Sequence, residues 1–96
     1  MDLQELHALF QKHHEELLDW DRAEKRYSPR RDLNGLLLIA KLVPGEEPLI
    51  SWWSHCDAWL FVAPEDVAKT ATEADVVELL RSGIMLHPEG FYFGRP

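Results

Sequence analysis

The chain has little cysteine, little glycine and few basic residues, and each shortage excludes something. Cys56 stands alone, so no internal disulfide can form, and an intracellular, cytoplasmic setting is expected. No apolar run approaches the roughly 18 residues of a membrane span. The opening Met1-Asp2-Leu3 has no basic stretch, which predicts a chain without a secretory signal. Glycine numbers 5, and no glycine-rich loop follows a strand, so the dinucleotide and nucleotide fingerprints are missing and no cofactor is expected. Ten basic residues face 17 acidic ones, for a net charge of −7. A protein that grips nucleic acid by neutralising phosphates shows the opposite balance.

What remains is a globular composition: 96 residues, 46% hydrophobic, with four tryptophans. A chain of this length makes one domain, 1–96, burying roughly two-thirds of its unfolded surface. Charge is unevenly spread along it. Residues 1–21 and 42–96 are acidic, while 22–41 are basic.

Leu3, Leu6, Phe10, His13, Leu17, Trp20 and Tyr27 follow a three-four alternation interrupted by Glu24. That spacing predicts one amphipathic helix from about Asp2 to Tyr27, stopped by Ser28-Pro29. Its apolar seam would pack on the leucines of a second helix, and a seam left half-covered is most simply closed by a second copy of the chain, so a homodimer through this helix is expected. Asp32 is placed to cap a second helix over about 33–43, although Leu36-Leu37-Leu38-Ile39 also suits a buried strand. The two helices would form a hairpin.

Leu49–Ser54 and Ala58–Val62 read as strands around the turn His55-Cys56-Asp57. Pro64 suits the start of a short helical turn. Thr72 with Asp75 resembles a capping box, and Gly83 fits the left-handed stop after that helix. Ile84–His87 and Phe91–Phe93 are short strands about Pro88-Glu89-Gly90. The expected fold is α+β: an N-terminal helical hairpin packed on a small antiparallel sheet, with one further helix between two β-hairpins.

Motifs that carry chemistry are weak. His14-Glu15-Glu16-Leu17-Leu18 opens like a zinc-protease helix but has Leu18 where the second histidine belongs. His7 and His14 are two helical turns apart, too far to share an ion. His13 reads as a half-buried histidine satisfied by a neighbour, or as a pH-sensitive contact. His55, Cys56 and Asp57 are the residue types of a nucleophilic triad, with His87 a further candidate, but neighbours on one turn seldom converge. A small His/Cys enzyme or metal protein is the third-ranked function.

Arg22, Lys25, Arg26, Arg30 and Arg31 form the basic segment. They read as a solvated helix C-terminus complementing the dipole, or as an anion-docking patch serving a small nucleic-acid-associated regulator. The carboxylates from Glu46 to Glu78 read as helix-start acids, or as an acidic surface for a basic partner. Trp52 and Trp53 are adjacent on a strand and cannot both enter one core layer. The exposed one, with Trp59 and Phe61, would anchor a protein partner.

The run from Thr72 to Ile84 (a threonine-capped acidic helix with a glycine stop), followed by Gly90-Phe91-Tyr92-Phe93, resembles the C-terminal half of small uncharacterised phage and mobile-element proteins. The resemblance implies a bacterial or phage setting and no activity. The leading expectation is a non-enzymatic interaction module, an accessory or inhibitor protein that engages a host factor through acidic and aromatic surfaces.

Overall fold

The computed structural model describes residues 1–53 and 58–93, and of residues 51–53 the backbone only. The first helix, α1 (Leu3–Lys12), starts where the Asp2 carboxylate accepts the Glu5 N–H at 2.7 Å. Its Leu6 and Phe10 are buried in the core. The helix ends at Lys12, so the continuous rod expected to Tyr27 does not form. Two single 3-10 turns follow, His14–Glu16 and Trp20–Arg22, and then irregular chain to Arg30.

The cause is tertiary. Leu18 takes a left-handed φ of +62° and donates its N–H to the Leu80 carbonyl at 2.9 Å, a donor that a helix would have used internally. Glu16 meets Arg81 at 3.0 Å. The detour half-buries Leu17 and Trp20, so the seam is covered from within the chain while Tyr27 stays 49% exposed. The homodimer expected through a helix running to Tyr27 would have only Leu3–Lys12 as its helical surface.

The segment expected over 33–43 is helical, not extended: α2 spans Arg31–Leu42, with Val43 just beyond its end. Arg30 holds its cap position, and Asp32, expected there, lies inside the first turn with its carboxylate on the Leu33 N–H. Residues 13–30 separate α1 from α2, and each helix packs on two later ones, α3 (Pro64–Thr70) and α4 (Glu73–Arg81), instead of forming one tight hairpin.

Asn34 on α2 and Glu78 on α4 fasten the irregular segment. Asn34, 1% exposed, accepts the Tyr27 and Ser28 N–H groups at 2.6 and 3.2 Å. Its amide nitrogen donates to the Lys25 carbonyl at 3.0 Å and the Ser82 hydroxyl at 3.1 Å. Glu78, 4% exposed, accepts the Glu24 and Lys25 N–H groups at 2.7 and 2.5 Å. Backbone groups that a helix would have satisfied are thus paired by side chains.

Four antiparallel strands, β1 (Ile50–Trp53), β2 (Ala58–Leu60), β3 (Ile84–His87) and β4 (Gly90–Phe93), lie in the order β1-β2-β4-β3. The alternation of side chains sends Ala58, Leu60, Ile84 and Phe91 into the core. The class is α+β, as expected. The last third follows its sequence signals closely. Pro64 opens α3, and Thr72 and Asp75 cap α4 reciprocally, Asp75 N–H to Thr72 Oγ1 at 3.3 Å and Thr72 N–H to Asp75 Oδ2 at 2.9 Å. Gly83 then turns at φ +94° and donates to the Leu80 carbonyl at 2.9 Å. α2 crosses β3 closely at Gly35, where a Cβ would lie 2.9 Å from Ile84 Cγ1.

Candidate functional site

After α2, Pro44 and Gly45 lead the chain toward β1, while after β2 Phe61, Val62 and Ala63 lead to the start of α3. The space between is an open groove of about 780 Å³. Ala40, Val43, Pro44, Leu49, Leu60, Phe61, Val62, Ala63 and Pro64 give it aliphatic and aromatic walls, with Trp59 at one end. Phe61 is 60% exposed, an unusual position for a phenylalanine. Its N–H is tied to the Leu49 carbonyl at 2.6 Å, so the two walls are held together by backbone.

The polar residues around the groove have one sign. Glu47, Glu65, Asp66 and Glu89 line it, and no basic side chain among the described residues does. Glu65 and Asp66 occupy the first turn of α3, where acids suit the helix dipole. Lys69 sits 3.6 Å from Asp66, an exposed pair of small strength. Glu47 and Glu89 stand outside any helix, and neither forms an ion pair among the described residues.

Of the expected anchors, Trp59 and Phe61 meet at this groove. Trp59 pairs across the sheet with Tyr92, ring centroids 5.1 Å apart, and His87 stands edge-on to it at 5.6 Å. Trp52 and Trp53 face Trp59 and Ala58 in register, and their side chains lie outside the described residues. So do His55, Cys56 and Asp57. The fourth member of that set, His87, accepts the Glu89 N–H at Nδ1, 3.1 Å. Among the described residues no three His, Cys, Asp or Glu side chains are grouped to hold a metal ion.

The basic segment is not a helix end, because α1 stopped at Lys12. It is largely an internal fastening. Lys25 bonds Asp75 at 3.0 Å, Arg22 bonds Glu16 at 3.3 Å, and Arg26 donates to the Trp20 and Ala23 carbonyls while its guanidinium lies over the Trp20 ring. Arg30 and Arg31 sit at the N-terminal end of α2, the end where the dipole disfavours cations.

Ion pairing shifts several of these groups. The hydrogen bond from Arg81 holds the Glu16 carboxyl below the usual carboxylate range, against some desolvation, and Glu16 in turn raises Arg81. Burial alone would raise Asp75, but the Thr72 backbone N–H and Lys25 outweigh it and lower it. The same bond to Asp75 raises Lys25. Glu73 is lowered by His13, whose Nε2 lies 2.6 Å away, and by Lys12. His13 is thus the half-buried, neighbour-satisfied histidine that its sequence position suggested.

Two features escaped sequence reasoning. Glu47 and Glu89 are remote in the chain, and only the fold brings them to one rim. Asn34 and Glu78 look like ordinary helix-surface residues, and their partners lie far away in sequence or in irregular backbone.

No protein-family profile, curated protein or solved structure matches the chain. Among the described residues no helix is long and apolar enough to cross a membrane.

Proposed function

We propose that this protein is a cytoplasmic, non-enzymatic interaction module that docks a partner protein in the groove between the end of α2 and the start of α3. The observation that carries the reading is Phe61, 60% exposed in the wall of a mainly apolar groove of about 780 Å³. An exposed apolar groove rimmed by polar residues is a common form of interaction site. Aromatic side chains in such places act as anchors, because they remove much apolar surface from water for few frozen rotamers. In the phage or mobile-element setting implied by the resemblance of the C-terminal segment, the partner is a host factor.

Selection from a random peptide display library tests the reading. It expects peptides that bind the wild-type chain and lose binding to Phe61→Ala, with the variant's circular dichroism and melting unchanged. Binders indifferent to Phe61→Ala, or no binders after repeated rounds, would refute it. The nucleic-acid reading gains nothing from the geometry, since Arg22, Lys25 and Arg26 are already engaged within the chain.

A further inference from the structure

Granted that the groove is a docking site, as proposed above, we infer that its occupant is a cationic amphipathic peptide segment: aliphatic side chains seated against Phe61 and Leu49, with Lys or Arg residues flanking them. The walls are mainly apolar, so they favour aliphatic groups without reading their order. The rim supplies the selection. Glu47, Glu65, Asp66 and Glu89 come from three separate parts of the chain and give the charged lining of the groove one sign. Lys69 offsets Asp66 in part, which leaves Glu47, Glu65 and Glu89 to face the ligand. An acidic or phosphate-bearing segment meets repulsion at every side. A neutral segment leaves like charges crowded on the rim as it displaces their water. A segment with cations on both sides of an aliphatic stretch relieves both.

The test uses the full chain, uniformly 15N-labelled, and peptides that share one Leu/Val pattern but carry Lys, Gln or Glu flanks. The Lys peptide is expected to shift the amides of Leu49, Phe61 and Glu89 and their neighbours. Its affinity should exceed that of the Gln peptide by about tenfold, since each exposed pair contributes only a few-fold. Raising salt from 0.05 to 0.5 M should remove most of that advantage. Equal binding of the Gln or Glu peptide at these amides overturns the cationic occupant and leaves the docking reading standing. Equal binding of an oligolysine with no aliphatic residues overturns the amphipathic occupant in the same way. Shifts of these amides with protein concentration alone identify a second copy of the chain as the occupant and likewise overturn it. If no peptide of any charge moves these amides, both the inference and the reading fall.

Discussion

Replacing Asn34 with alanine should destabilise this protein by about 2–3 kcal/mol, although alanine is the better helix former. The side chain serves four partners: two backbone N–H groups, one carbonyl and one hydroxyl. Tyr27 and Lys25 are exposed, so their backbone groups find water when the amide is removed. Ser28 and Ser82 are buried, at 9% and 0% exposure, and their freed N–H and hydroxyl do not. Each buried group left unpaired costs about 1–3 kcal/mol. The gain in helix propensity on going from asparagine to alanine returns about 0.7 kcal/mol at most. A domain of this size has about 5–14 kcal/mol in total. The loss should therefore lower the melting temperature by about 8–24 °C. Thermal and urea melts followed by circular dichroism measure it, and native-state hydrogen exchange should show Tyr27 and Ser28 opening before α4. A change under about 0.5 kcal/mol, with those amides still protected, would refute the view that Asn34 holds residues 13–30 in place.

Other substitutions probe other parts of the account. Glu78→Leu should open the same segment, because the Glu24 and Lys25 N–H groups lose their shared acceptor; exchange at those amides should rise at least tenfold. Gly35→Ala places a methyl group 2.9 Å from Ile84 Cγ1 and should cost about 1–2 kcal/mol in urea unfolding despite better helix propensity. The lowered pKa values of Glu16, Glu73 and Asp75 fix a pH dependence. Each of these carboxyls binds protons less readily folded than unfolded, so its contribution is complete above the ordinary carboxylate range, about pH 4, and is lost as pH falls through the folded values. The raised pKa of Lys25 has the opposite sense, its contribution present below about pH 10.4 and lost above it. Stability should hence be level through neutrality and fall in acid. In Arg81→Met, the carboxyl carbon of Glu16, followed by NMR, should titrate at higher pH than in the wild type.

How much was legible in the sequence depends on how local each cause is. The cap, face and stop of α4 are written within a dozen residues, and Thr72, Asp75 and Gly83 act on their own backbone. The hairpin of β3 and β4 is equally local, set by Pro88-Glu89-Gly90. The N-terminal seam misled because three-four spacing reports burial on one side and not continuity of helix. Leu17 and Trp20 are indeed half-buried, but through a turn at Leu18 whose cause is the Leu80 carbonyl, 62 residues away by the numbering. The basic segment misled for the same reason, since its partners Glu16 and Asp75 belong to other elements. At the groove, Trp59 and Phe61 were legible as aromatic residues on and just after a strand. The acid rim was not, because nothing local links Glu47 to Glu89.

The most direct test of the docking groove is a footprint obtained without presuming the ligand's charge. A peptide selected by display on the wild-type chain would be titrated into 15N-labelled protein, and its amide shifts mapped. The prediction is a contiguous patch over residues 43–49 and 59–66 and at Glu89. A footprint centred instead on residues 22–31, or spread evenly over the surface, would contradict it.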